Sequence, residues 1–313
     1  MARYIFKRLV LMVFLLLGIT FIVFLSLYLA PGDPAELVAG PNATADDIAR
    51  MRVFLGLDKP LFVQYGTYLL GLLQGDLGTS ITTRQPILNE IAIRLPFTIN
   101  LAVAAIILAT VIGIPIGMIA AVKKDSFLDQ LMTTTSLMGI SIPNFWLGSM
   151  LILVFAVKLG WLSTGGMTDF FWTPTGFKEV ILPAFALGTS VAAQFMRIGR
   201  NAMIGVLQSD YIRTAEAKGL KKKRIIFVHG LRNALIPLLT VFGTSFGGLL
   251  GGAIVTEKVF VINGLGTYLL QSINARNYPA VQSTVLIIAV MFVLVNLVVD
   301  LLYVVVDPRI SYE

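Results

Sequence analysis

An all-α polytopic membrane protein with six transmembrane helices and both termini in the cytoplasm is the fold class this sequence predicts, on three observations. Apolar residues make up 57% of the 313 positions and charged ones only 13%, against roughly 45–50% and 25% in soluble domains. The apolar residues fall in runs near the ~20-residue length that crosses a bilayer as a helix. Cations gather on alternate connections, the asymmetry that keeps Lys- and Arg-rich loops inside. So many spans leave room for one membrane domain with short loops and none for a soluble enzyme, and the net charge of +7 reads as orientation rather than nucleic-acid binding.

Taken in order, Arg3, Lys7 and Arg8 precede the uncharged run 9–30. That run exceeds the 7–15-residue core of a signal peptide, and Pro31-Gly32-Asp33-Pro34 is a poor cleavage site, so residues 1–30 are expected as a retained first span. Residues 31–96 turn polar and form an extracytoplasmic helical segment. In it Thr44 can cap a helix with Asp46 and Asp47 in its first turn and Gly56 at its end. Residues 61–73 are apolar over half a bilayer only, hence interfacial or packed. A short helix over 87–95 then leads to the membrane.

The core membrane domain is expected over 97–306, with 307–313 as a cytoplasmic tail. Its first span, 98–122, holds Gly113-Ile114-Pro115-Ile116-Gly117, a small-residue face. Residues 128–157 are one tilted span interrupted at Ser141-Ile142-Pro143-Asn144, or a span with a broken upper half. The fourth span runs from 179 or 180 to about 195 and is stopped inside by Arg197 and Arg200. The fifth, 235–255, carries Gly243, Gly247, Gly248, Gly251 and Gly252, which let another helix approach closely, from this chain or a partner. Residues 281–306 form the sixth, ended by Asp307-Pro308-Arg309.

No G-x-x-x-x-G-K-[ST] loop occurs, so ATP is not split here in the usual way. One His (His229) and no Cys exclude thiolate or His-based metal sites and disulfides, and no G-x-S-x-G elbow is present. Polar groups at membrane depth are few. Asn100, Asn144 and Gln194 are candidates for the solute path or for interhelical hydrogen bonds, Glu257 for a cationic solute group or an exposed interface position, and Asp300 for the inner interface.

Between the fourth and fifth spans lies a charged hairpin, 209–224. Ile212, Ala215, Glu216 and Gly219 recur at i, i+3, i+4 and i+7, one small-residue face of a helix that could sit in another protein's groove, with Gly219 as its cap. The cations after it, Lys221, Lys222, Lys223 and Arg224, can equally mark topology or meet anionic lipid.

The stretch Tyr211-Ile212-Arg213-Thr214-Ala215-Glu216-Ala217-Lys218-Gly219-Leu220, followed by Leu231-Arg232-Asn233-Ala234-Leu235-Ile236-Pro237, resembles the coupling-helix signature of permease subunits of ATP-binding-cassette importers. The dipeptide/oligopeptide and nickel branch is the nearest. Where the broad motif begins Glu-Ala-Ala, this chain has Arg213, Thr214 and Ala215, and Leu231-Arg232 replaces Leu-Pro, as in the peptide branch. Gly56-Leu57-Asp58-Lys59-Pro60, Gly75-Asp76-Leu77-Gly78, Ser141 to Gly148 and Gly264-Leu265-Gly266 are similar to that branch too. The resemblance implies a type I importer fold in a bacterial or archaeal plasma membrane. It also implies that Tyr211 to Leu220 couple to an ATPase, and that the chain forms half of a pathway for di- or oligopeptides, or for nickel or glutathione. Implied partners are a second homologous permease, two ATPase subunits carrying the ATP and Mg, and an extracytoplasmic solute-binding protein; no cofactor is implied in this chain. A stand-alone secondary transporter or channel is the alternative from the residues alone.

Overall fold

The computed structural model describes residues 2–29, 33–40 and 43–306. The expected 307–313 tail, including its Asp307-Pro308-Arg309 stop, lies outside them. Among the described residues the chain is helical throughout, with no strand beyond a single bridge between Thr79 and Pro86. It divides into two compact units, residues 1–96 with 264–291 and residues 97–263 with 292–313.

In the first unit α1 (Ala2–Tyr28) packs on α4 (Leu61–Leu73). Tyr65 meets Phe21 edge-on, Tyr68 stacks on Phe24, and the Tyr65 hydroxyl donates to the carbonyl of Leu17 (3.0 Å). Burial of Tyr68 pushes its phenol up to about 12. α2 (Pro34–Ala39) starts at Asp33, which accepts from the Ala35 amide and pairs with Arg52 of α3 (Ala45–Phe54).

α3 follows the local signals closely. Thr44 accepts from the Asp47 amide while Asp47 accepts from the Thr44 amide and hydroxyl, a capping box. Gly56, at φ +68, ends the helix, its own amide and that of Leu57 closing on Val53 and Arg52. Hydrogen bonds from the Thr44 hydroxyl, then from the Thr44 amide, hold the Asp47 carboxyl below its ordinary range. A depressed carboxylate stabilises above its unfolded pKa of ~3.9 and ceases to as pH falls through the folded value. The protection factor of the first-turn amides of α3, exchange being divided by the intrinsic rate at each pH, should therefore be flat between about pH 5 and 8 and fall below ~4, and D47N should remove that acid limb.

The 79–86 turn is held by Asn277, whose side-chain amide donates to Ser80 Oγ (2.8 Å) and Thr82 Oγ1 (3.0 Å) while its oxygen accepts from the Ile81 amide (3.2 Å). Beneath it Ile87 and Ile91 of α5 (Ile87–Val122) pack with Leu265 and Tyr268 of α12 (Leu265–Asn274) and Ala280 of α13 (Tyr278–Val306). The Arg94 guanidinium lies 4.5 Å above the Tyr268 ring.

The second unit is built round α8 (Pro174–Leu207), which packs against α6 (Phe127–Ser141), α7 (Asn144–Leu151) and α11 (Leu231–Val259). It is the most enclosed of the long apolar helices. Residues 97–122 of α5 cross α8 at close range. A Cβ at Gly117 would stand 2.6 Å from the carbonyl oxygen of Met196, and one at Gly113 would collide with that of Ala192, so the expected small-residue face serves backbone-to-backbone packing. Ile142, extended because Pro143 follows, separates α6 from α7. α7 continues as a π-helical segment, Ile152–Lys158, and the two arms meet at 100°.

Among the described residues four helices are long and apolar enough to cross a bilayer, five if that bent pair is one crossing, which falls short of the six expected. The first of the six expected spans falls on α1, whose apolar stretch is Val10–Ser26. Two boundaries differ from expectation. α5 is one 36-residue helix through Pro96 rather than a short helix and a span, and α8 runs seven residues past Arg200. The helix carries Arg200 within it, its Nε and Nη2 donating to both oxygens of Asp129 (2.5 and 2.6 Å).

Candidate functional site

After α8, Ser209 turns the chain into α9 (Asp210–Ala217). Asp210 suits the positive end of the helix dipole. At the other end Gly219, at φ +75, lets the amides of Gly219 and Leu220 close on the carbonyls of Glu216 (2.8 Å) and Ala215 (3.2 Å). Leu220 folds back onto Ala215 beneath this paired cap. A left-handed residue with a Cβ is disfavoured, so Gly219 fixes where the helix stops.

Half of the stripe read from the sequence faces this chain: Ile212 and Ala215 turn inward, whereas Glu216 and Gly219 are exposed. Ile212 (1% exposed) and Ala215 are buried against Ile225, with Val206, Leu207 and Leu220 around them. Leucine and valine of that seat come from the end of α8, and Ile225 from a π-helical turn, Ile225–Gly230, that follows the short α10 (Lys222–Arg224) and runs into α11. Gly230 of the turn lies against the buried Met203 of α8. The outward face is the other stripe, Asp210, Arg213, Thr214 and Ala217, all exposed, with Tyr211, Glu216 and Lys218 beside it. Arg213 pairs loosely with Asp210 (3.5 Å), and the Thr214 hydroxyl donates to the Asp210 carbonyl. One fixing residue escaped the sequence reading: Asn233 Nδ2 donates both to the Tyr211 hydroxyl and to the His229 carbonyl (2.9 Å each). Its signal was its place, three residues past the π turn, which only the fold reveals.

The four polar candidates at membrane depth sit on four different helices, Asn100 on α5, Asn144 on α7, Gln194 on α8 and Glu257 on α11. Asn100 is buried and fully engaged: its amide donates to Met167 Sδ (3.0 Å) and the Asp169 carbonyl (3.2 Å), and its oxygen accepts from the Phe171 amide (3.0 Å). Glu257 is wholly buried, which removes the exposed-interface reading, and accepts from Thr98 Oγ1 (2.6 Å). Asn144, first residue of α7, and Gln194 on α8 are half-buried. In the glycine row, a Cβ at Gly243 would meet Val299 and one at Gly247 would collide with the Phe292 ring, so these two seat residues 292–306 of α13. Gly248 and Gly251 face open space, and the surroundings of Gly252 lie outside the described residues.

Comparison with known proteins gives one answer. Residues 113–312 match the family described as binding-protein-dependent transport system inner membrane component, and residues 1–102 match the N-terminal membrane component of such systems. A glutathione transport system permease protein, GsiC, of Salmonella paratyphi A is 45% identical over 313 residues, all of both chains. A dipeptide transport system permease protein, DppB, of Alkalihalophilus pseudofirmus is 44% identical, again over the whole of both. Among solved structures, inward-facing forms of the MetNI methionine ABC transporter superpose with TM-scores of 0.56 and 0.59 at 20% and 18% identity, covering 69% and 70% of this chain and 96% of theirs. They share its fold. On matches that together take in both ends of the sequence, the chain belongs to the inner membrane components of binding-protein-dependent transport systems, the multi-pass permease subunits of bacterial ABC importers.

Proposed function

We propose that this permease carries short peptides, glutathione among them, and that α9 is the point at which an ATPase subunit drives it. The observation that carries the docking role is the double seat of α9. Its inner face rests on both the end of α8 and the turn that opens α11, so a rigid helix pushed from the cytoplasm loads two membrane helices at once. Its outer face, Asp210, Arg213, Thr214 and Ala217, carries no packing duty and is free to meet a partner. A second homologous permease completes the pathway, a solute-binding protein delivers the peptide, and ATP with Mg is held by the ATPase pair. The peptide class rests on the two relatives named above, one for glutathione and one for dipeptides.

The test places a bulky cation on the outer face. Ala217→Arg should leave the chain in the membrane at normal amount and cut ATPase co-purification and peptide uptake about tenfold or more, since an interface tolerates an unpaired buried charge poorly. Normal co-purification with normal uptake would remove α9 from the ATPase interface.

A further inference from the structure

We propose that Lys221, Lys222, Lys223 and Arg224 form a binding surface for the headgroups of anionic phospholipids. All four are exposed, and none makes an ion pair among the described residues. The nearest acid in the sequence that could serve them, Glu216, sits beyond the Gly219 turn, and Asp210 is already used by Arg213. Three of the four occupy the first turn of a continuous helical run, Lys222–Gly251, that is itself long and apolar enough to span. Cations there oppose the helix dipole and repel one another. The run therefore destabilises the isolated chain, and anions from outside are what offset it.

The next turn identifies the source of those anions. Ile225 points inward into the α9 seat, whereas Phe227 (60%) and Val228 (51%) stand exposed. Along one helix axis the surface thus passes within a turn from cations to bare apolar side chains. A leaflet presents that succession, phosphate first and acyl chain next, and Lys and Arg stems reach along apolar surface to place their heads at the phosphates. The surface is separate from the outer face of α9, so it stands or falls independently of the ATPase docking.

The experiment uses the full-length chain in nanodiscs of equal phosphatidylglycerol and phosphatidylcholine, and native mass spectrometry of the lipids retained. One basic residue near an anionic surface is worth about a factor of five in partitioning. K221Q/K222Q/K223Q/R224Q should therefore lower the retained phosphatidylglycerol-to-phosphatidylcholine ratio at least about fivefold. K59Q/R84Q/K158Q/K178Q, which removes four exposed cations elsewhere, should leave it unchanged. For the wild-type chain alone, the ratio should fall as salt rises from ~0.05 to ~0.5 M, as screening requires; this arm decides the matter if the first variant does not fold. Equal ratios in wild type and variant, or no phosphatidylglycerol preference at low salt, would overturn the proposal. So would a variant that keeps its lipids and loses only a co-purifying ATPase, which would make the run a protein contact.

Discussion

Ile212→Asp should stop uptake by the assembled transporter, lowering the initial rate at least tenfold, while the chain still reaches the membrane in near-normal amount. Ile212 is one of three buried residues on which α9 is seated, and a carboxylate there would lose its hydration in a pocket lined by Val206, Leu207, Ala215, Leu220 and Ile225. An eight-residue helix does not hold together in water without such packing. α9 would leave its seat, and the long apolar helices, which do not depend on it for insertion, would remain. Ile212→Val removes one methylene and should cost less than twofold in rate. Uptake in whole cells, normalised to the chain found in the membrane fraction, separates the two. Normal transport by the I212D variant would show that the seat transmits nothing.

The second large effect is on stability. Asp129→Ala should lower the melting temperature of the detergent-purified protein by roughly 5 °C or more, since removing one partner of a buried pair leaves the other charge unpaired at a cost of about 3–5 kcal/mol. The Asp129 side chain is 4% exposed and that of Arg200 20%, and the pair joins α6 to α8 through two hydrogen bonds. Asp129 also accepts from the Asp125 amide (2.9 Å), so it holds the turn between α5 and α6 as well. The double replacement D129L/R200M should recover most of the loss, because apolar side chains of similar volume do without the desolvated charges. If D129A alone melts like the wild type, the pair is ornamental.

Where a signal is local, the sequence was enough. The Thr44–Asp47 box and Gly56 mark both ends of α3, and Gly219 marks the end of α9, because each acts through backbone groups two to five residues away. Spacing also revealed that α9 has a small-residue stripe. It could not say that Ile212 and Ala215 alone of that stripe turn inward, since Ile225, which receives them, belongs to the next helical turn and joins them only in three dimensions. The partner of Arg200 was hidden for the same reason: the acid that pairs with it is 71 residues earlier. Asn100 looked like a polar group without partners inside the bilayer, and its partners lie at residues 167–171. The number of crossings was legible only as a count of apolar runs. The 100° corner at Pro143 shows how one run becomes two arms that composition cannot tell apart.

Because Ile212 and Ala215 are consumed by their own chain, what α9 leaves for recognition is six exposed side chains over about two turns, centred on the strip Asp210, Arg213, Thr214 and Ala217. Under the proposed docking, allegiance to one motor or another is written in so few letters that exchanging Asp210, Arg213, Thr214 and Ala217 for those of a relative would transplant it. The rest of the permease need not change, which makes mutually exclusive transporter pairs in one cell a matter of surface editing.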